Sequence, residues 1–342
     1  MYPQVDDHHR WALPDVLAFQ AVARPETVFV SMVDGPSLTY SDVFADAQKV
    51  AGFFYSLGVE PGDRVAVLLH NSIDFVRVWT GLGWLGAVLV PLNTALVGDF
   101  LAHQIHSSAA KVVVCHERYL PKLDAIRPAL TSVSTTVICG AAPVDHKRPS
   151  GLVSFESWRD ASLHRGNRPG YRDLACIMYT SGTTGPSKGV LMPHAHCYLF
   201  AMPIIDFGHL CAADKYYVST PFFHVNGLFM SLYATLIVGA TAVVRERFSA
   251  SSWVRDIRDH GCTVTNLVGA MSQMVIAQPV SELDSDHKLR LVSPLPNSAD
   301  HDSAFRHRFG VPDVLTGYGM TEVNLPLWGR LEDQRPGTVG FS

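Results

Sequence analysis

The 342-residue sequence predicts an α/β fold, two mostly parallel sheets flanked by helices. Three observations predict it. Short β-branched runs alternate with amphipathic stretches of helical period, and crossovers of that kind join parallel strands. At 47% hydrophobic residues the chain can bury cores large enough to offset its conformational entropy, which excludes disorder. A chain of this length also divides more readily into two packed lobes than it fills one core.

The elements follow in chain order. Ser41 can cap a helix whose apolar positions Val43, Ala47, Val50, Phe54 and Leu57 step by four and three residues, and Gly58 stops it. VEPGD then turns the chain into a strand over 64–69. A helix is expected over Ile73–Leu85, with a short strand before Pro91. Further strands are expected at 111–115, 136–139, 175–179, 216–220, 263–268, 289–293 and 314–316. The clearest intervening helices are 249–260 and 300–309. The polar, Gly-, Pro- and Arg-rich stretch around 141–172 reads as a linker between a first subdomain, 1–140, and a second, 173–342.

The formal net charge of −4 leaves no basic excess to neutralise phosphates, so a general nucleic-acid binder is excluded. Six cysteines are scattered without a CxxC pair, mostly in apolar surroundings, which reads as reduced, buried thiols in a cytoplasmic protein. The N-terminal MYPQVDDHHRW lacks the basic and apolar regions of a signal peptide. Residues 216–244 contain no Asp, Glu, Lys or Arg, but Gly239 interrupts the apolar run. That run falls short of the about 20 residues a membrane helix needs. It reads instead as a buried helix over 228–238, a Gly stop and a strand at Thr241–Val244, with no transmembrane segment.

Three strings carry chemistry. Thr180-Ser-Gly-Thr-Thr-Gly-Pro-Ser-Lys-Gly189 follows the strand CIMY. Its small residues let oxygen atoms approach, its backbone N–H groups and hydroxyls donate hydrogen bonds, and Lys188 adds a point charge. It is not a Walker A loop, since no Gly directly precedes the lysine and no Ser or Thr follows it, which argues against a kinase or P-loop NTPase. Thr316-Gly-Tyr-Gly-Met-Thr-Glu322 gathers an aromatic ring for stacking on a flat heterocycle, a hydroxyl for a phosphate and a carboxylate for Mg2+. Pro221-Phe-Phe-His-Val-Asn-Gly227 follows another strand, where loops face the ligand crevice of a parallel sheet. A lone histidine beside apolar residues is more often a satisfied core residue, so His224 carries little by itself.

Together the three strings resemble the adenylate-forming superfamily of acyl-CoA synthetases, firefly luciferases and nonribosomal-peptide adenylation domains. YTSGTTGPSKGV matches its phosphate loop, YGMTE its adenine-and-magnesium motif and the His224 segment its acyl-site motif, with weaker similarity at LTYSDV and WLGAVLVPLN. The resemblance implies the large N-terminal domain of such an enzyme, covering roughly residues 15–342. It implies ATP phosphates at Thr180, Ser181, Gly182, Thr183, Thr184, Gly185 and Lys188, and a nucleotide site formed by Asn297, Gly317, Tyr318, Gly319, Met320 and Thr321. Mg2+ would be held by Thr184 and Glu322, and the acyl pocket bordered by His224, Val225, Val268, Gly269, Ala270 and Gly317. Thr184, Lys188, His224, Thr321 and Glu322 would carry the reaction. The implied activity is ATP-dependent conversion of a small carboxylic acid to its acyl-adenylate, followed by transfer to coenzyme A; a homodimer is compatible with it.

Two departures stand out. The Gly-Gly-Ala-Pro-like segment expected before the adenine site reads Leu291-Val-Ser-Pro-Leu-Pro-Asn-Ser298, so Asn297 would contact the adenine amino group in place of a backbone-lined contact. With the HVNG and YGMTE contexts this looks most like the carnitine/crotonobetaine-CoA ligase branch. Related members activate aryl acids or, as diazotases, nitrite. The sequence also stops at Ser342, before the Tyr-Arg-Thr-Gly-Asp-like ribose motif and the small C-terminal domain with its adenylation lysine. The expectation is therefore of a chain that binds ATP weakly, adenylates poorly and forms no thioester, or of a catalytically incomplete nucleotide-binding fragment. A reading frame continuing past Ser342 would separate these. His8-His9 and His194-Ala-His196 lack a four-ligand metal set, His194 reads as a cap or surface residue, and Trp79–Trp84 reads as core.

Overall fold

The β-branched runs form two seven-stranded sheets in the computed structural model, which describes residues 7–140, 151–180 and 186–333. In chain order the strands are β1 (Val28–Met32), β2 (Ser37–Thr39), β3 (Arg64–Leu68), β4 (Val88–Pro91), β5 (Val112–His116), β6 (Thr135–Cys139), β7 (Leu152–Ser154), β8 (Leu174–Thr180) and β9 (Lys188–Pro193). They continue as β10 (Lys215–Val218), β11 (Thr241–Val244), β12 (Val264–Val268), β13 (Leu291–Leu295), β14 (Asp313–Val314), β15 (Gly317–Met320) and β16 (Asn324–Trp328). The chain forms two compact units. One contains Ser41–Cys197 and the described residues up to Pro25; the other contains Glu26–Tyr40 and the described residues from Tyr198 on.

The sheet of the Ser41–Cys197 unit runs β7-β6-β5-β3-β4-β8-β9, and every neighbouring pair is parallel except β8 and β9. Strands β3 to β5 are almost wholly apolar because helices cover both faces of a parallel sheet. Val88, Val90, Val113 and Cys115 pack with Leu101 and Ile105 of the helix Gly98–Ser107 and with Leu120 and Leu123 of Leu120–Ile126. The helix Ile73–Leu85 has the predicted bounds: Ser72 accepts from the Phe75 N–H (3.2 Å), and Gly86 ends it in the left-handed region at φ 80°. Trp79 and Trp84 are buried core, as expected. The helix before it, Tyr40–Ser56, starts one residue before Ser41, whose hydroxyl donates to the Pro25 carbonyl oxygen at 2.8 Å. The segment 151–172 contributes β7 and the 3-10 turn Phe155–Asp160, with Phe155 and Trp158 buried, so its polar composition did not reveal that these two aromatics anchor it.

In the other unit the order is β14-β13-β12-β10-β11-β1-β2, parallel throughout except for β1 against β2. One face packs on Trp253 and Ile257 of the helix Trp253–His260 and on Phe305 of Ala299–His307; Trp253, Phe305 and Phe309 lie 5.5–6.0 Å apart by ring centroid. The apolar run after residue 216 folds as expected, with one refinement: its first two turns, Asn226–Tyr233, are wound as a π-helix that continues as the α-helix Ala234–Val238. Gly239, at φ 81°, stops it before β11. Among the described residues no helix is long and apolar enough to cross a membrane.

Candidate active site

In the Ser41–Cys197 unit, β8 and β9 form an antiparallel hairpin in which Thr180 stands opposite Lys188. The Thr180–Gly189 string therefore begins at the end of one strand and ends inside the next. Strand β9 was not foreseen, because its residues, Lys-Gly-Val-Leu-Met-Pro, alternate too weakly to stand out. Ser181, Gly182, Thr183, Thr184 and Gly185 lie outside the described residues. Lys188 is exposed and Thr180 half-buried. Gly189 lets the strands close, since a Cβ there would lie 2.7 Å from Ile177 Cγ2 and 3.4 Å from the Tyr179 ring.

Both stems of this hairpin are held by the helix Gly98–Ser107, which no sequence signal pointed to. His103 Nε2 lies 2.9 Å from the Ser187 carbonyl oxygen, and the Gln104 side-chain amide donates to Ser187 Oγ at 3.1 Å. A carbonyl only accepts, so Nε2 carries the hydrogen. On the other stem, Ser107 Oγ lies 2.6 Å from the Tyr179 hydroxyl and donates to the His103 carbonyl oxygen, also at 2.6 Å. Half-burial pushes the Tyr179 phenol above its ordinary pKa despite that partner.

His194, expected as a cap or a surface residue, is a buried cap for a distant helix. Its Nδ1 accepts the Leu13 N–H (3.3 Å) at the start of Leu13–Ala23. Burial lowers its pKa to about 4, which keeps the accepting nitrogen unprotonated. Cys197 is buried with its thiol pushed well above the usual range, so it is no nucleophile. Five of the six cysteines are buried, and all six are free.

In the other unit the candidate residues gather where the parallel strands end, the edge at which open α/β sheets bind ligands. His224 follows β10. Its ring is exposed, but the surrounding protein desolvates it enough to lower its pKa. The Asn226 N–H donates to His224 Nδ1 (3.2 Å), so the neutral ring offers Nε2–H outward as a donor. Behind it lies a buried polar chain absent from the sequence expectations. Asn266 of β12 donates to Asn226 Oδ1 (2.6 Å), and the single Ser231 hydroxyl proton is shared between the Asn226 carbonyl oxygen (2.7 Å) and Asn266 Oδ1 (3.0 Å). These three residues are 0–5% exposed, and their mutual bonds are what make such burial tolerable. Their spacing in sequence gives no hint of it: the π-helix brings Asn226 and Ser231 onto the side facing β12.

Val225 is buried next to His224. Val268 pairs with Leu295, and Gly269 approaches Pro296, so a Cβ at Gly269 would lie 3.2 Å from Pro296 Cδ. Ala270 is exposed beside them. Asn297 is half-buried; its Oδ1 accepts the Ser298 N–H (2.9 Å) and keeps a second lone pair for a ligand donor. The Thr316–Glu322 string does not merely follow a strand: Gly317–Met320 is β15, paired with β16. Gly317 is required because a Cβ would collide with the Trp328 ring, and Gly319 because it would collide with the Asn324 carbonyl oxygen. Tyr318 (48% exposed) and Met320 (45%) lie open on this hairpin, Thr321 is buried and Glu322 is exposed.

The structure thus brings His224, Asn226, Asn266 and Ser231 together, and Gly269, where β12 passes into the helix Gly269–Ile276, against Pro296. Thr180 and Lys188 belong to the other unit. Among the described residues no group of three or more His, Cys, Asp or Glu could hold a metal ion. An exposed Glu322 carboxylate nevertheless suits Mg2+, which keeps several waters and needs only one or two protein oxygens beside substrate phosphates.

Residues 17–342 match the AMP-binding enzyme family. The chain is 30% identical over 334 residues to the mouse (Mus musculus) long-chain fatty acid transport protein 1, covering 95% of this chain and 51% of that protein. It is 32% identical to a crotonobetaine/carnitine–CoA ligase of Salmonella paratyphi B over 89% of this chain and 60% of the relative. The chain therefore spans between half and three fifths of the length of these relatives. Among solved structures, the anthranilate CoA ligase AuaEII in complex with anthranoyl-AMP superposes with a TM-score of 0.87 at 25% identity, over 98% of this chain and 65% of that one. With a family match that runs over residues 17–342, the chain belongs to the AMP-binding enzymes.

Proposed function

We propose that this chain is the acid-activating domain of an AMP-forming ligase, which converts a carboxylic acid and ATP to an acyl-adenylate and pyrophosphate, with coenzyme A as the acceptor of the acyl group. The observation that carries the reading is the hairpin register, which sets Thr180 against Lys188 at the two ends of a donor-rich string. The family match and the CoA-ligase relatives support the same reaction class. The acid carboxylate attacks the α-phosphorus and pyrophosphate leaves. Thr180 to Gly185 and Lys188 bind the phosphates and offset the charge that builds on them. Tyr318 stacks on adenine, Asn297 meets its amino group, and Thr321 donates to the α-phosphate. Thr184 and Glu322 would hold Mg2+, which supplies charge neutralisation of the phosphates when bound.

On the acid side, His224 presents Nε2–H to the substrate carboxylate, with Val225, Val268, Gly269, Ala270 and Gly317 as the pocket border. Phe222, Phe223 and Met271 nearby favour an apolar or aryl acid. The free, mostly buried cysteines agree with a reducing, cytoplasmic setting. Pyrophosphate release by this chain with Mg-ATP and a panel of aryl, medium-chain and short acids plus nitrite tests the proposal. Release with one acid class supports it and names the substrate; release with nitrite alone transfers the reading to a non-acyl oxyanion. Phosphate release independent of any acid overturns it.

A further inference from the structure

The helix Gly98–Ser107 lies far from the Thr180–Gly189 string in sequence, yet three of its polar side chains reach both stems of the hairpin that carries it. His103 and Gln104 grip Ser187, the residue before Lys188, by its carbonyl oxygen and its hydroxyl. Ser107 meets the hydroxyl of Tyr179, the residue before Thr180. Since Ser107 uses its single proton on the His103 carbonyl, Tyr179 is the donor in that pair, and the two grips are tied to each other through His103. Each grip falls one residue outside the Thr180–Lys188 pair, on opposite strands of the hairpin. Lys188 itself is exposed, on a long stem. Without the grip on Ser187, little in β9 before Met192 is buried, and the strand is an open sheet edge.

We propose that His103, Gln104 and Ser107 are positioning residues for phosphate binding, a clamp that fixes where Lys188 and Thr180 stand before nucleotide arrives. The inference rests on the acid-activating reading above. It deepens it by assigning phosphate-loop order to a helix outside the loop. Preorganised donors bind a phosphate more tightly than the same donors on a wandering strand, because no ordering cost falls on the binding step. The clamp therefore acts on the phosphate part of the ligand alone. Its loss weakens ATP and leaves adenosine unaffected, whereas general damage to the fold weakens both.

The test is calorimetric titration of the chain with Mg-ATP and, separately, with adenosine, alongside thermal unfolding. The proteins are the parent, Lys188→Ala, His103→Ala, His103→Gln, Gln104→Ala and Ser107→Ala. Each lost hydrogen bond is expected to raise the ATP Kd about three- to tenfold while the adenosine Kd stays put, with the unfolding temperature unchanged for His103 and Ser107 and lowered only for the buried Gln104. His103→Gln, whose side-chain amide can take the place of Nε2–H, is expected to recover most of the loss. If Lys188→Ala weakens ATP while folded clamp variants bind like the parent, the clamp is overturned and the functional reading stands. If the clamp variants weaken ATP and adenosine alike, the role is merely structural and the proposal fails. If the parent itself binds ATP no better than adenosine, the functional reading fails and the clamp with it.

Discussion

The hairpin of the Ser41–Cys197 unit and the strand-end loops of the other unit carry their polar chemistry in opposite ways. At the hairpin the charged residue, Lys188, is exposed, and of the groups that grip its stems Ser107 is exposed, His103 half-buried and only Gln104 buried. At the strand ends His224 stands in front of Asn226, Ser231 and Asn266, all nearly or wholly removed from water. Exposed polar groups cost the fold little and can be changed without unfolding it. Buried ones are bound into stability, because each must keep its partner. Substitutions at Lys188, His103 and Ser107 should therefore change ligand affinity, and substitutions behind His224 should change stability.

Asn266→Ala should give the largest effect. It orphans the buried Asn226 side-chain oxygen, at about 1–3 kcal/mol, and leaves a gap in the core, while Ser231 keeps its bond to the Asn226 main-chain carbonyl oxygen, so a loss of ~3 kcal/mol in urea unfolding is expected. A loss below ~1 kcal/mol would mean that the chain of bonds is dispensable and the contrast between the regions false.

His194 sharpens the contrast, since here the hairpin's own unit does store stability in a buried polar group. Its folded pKa, about 4, lies below the ordinary histidine value of 6.5. The unfolded chain therefore takes up the proton first as the pH falls. The stability held by neutral His194 is complete above about pH 6.5 and drains away towards about pH 4, by about 3 kcal/mol. His194→Asn keeps an acceptor for the Leu13 N–H but does not titrate, so its urea midpoint should fall less between pH 7 and pH 4.5 than the parent's. Equal falls would contradict the assignment.

Lys188→Ala should leave the unfolding temperature unchanged and weaken Mg-ATP about 30-fold, the order expected for a charge-assisted phosphate contact. Tyr318→Ala gives the smallest effect and decides whether region or exposure rules. Tyr318 belongs to the strand-end region but is exposed. If exposure rules, stability holds and nucleotide affinity falls about fivefold by lost stacking. A drop in stability instead would make the region the deciding factor.

The same contrast explains what the sequence revealed. The Thr180–Gly189 string and the Gly-Tyr-Gly-Met-Thr-Glu string are local, so their residues could be named before any fold was known. The parallel sheets were legible too, because strands such as β5 are unbroken β-branched runs between amphipathic helices. What stayed hidden depends on contacts across the chain. Gln104 reaches Ser187 over 83 positions, Asn226 meets Asn266 over 40, and His194 caps a helix 181 positions away. Strand β9 was missed for a related reason: it is set by pairing with β8, and its own residues carry little β signal. The grouping of Glu26–Tyr40 with the residues from Tyr198 on likewise follows from β1 pairing with β11, a long-range register that composition does not encode.

The central claim is that ATP is cleaved between its α- and β-phosphates by an acid, and the identity of the nucleotide product tests it most directly. Mg-ATP labelled at the α-phosphate is incubated with the chain and the acid panel, and the products are separated, with hydroxylamine present to trap the activated acyl group. Labelled AMP or acyl-AMP, formed only when an acid is present and matched by hydroxamate, is the result expected even at slow turnover. Labelled ADP, or AMP formed at the same rate without acid, would contradict the account.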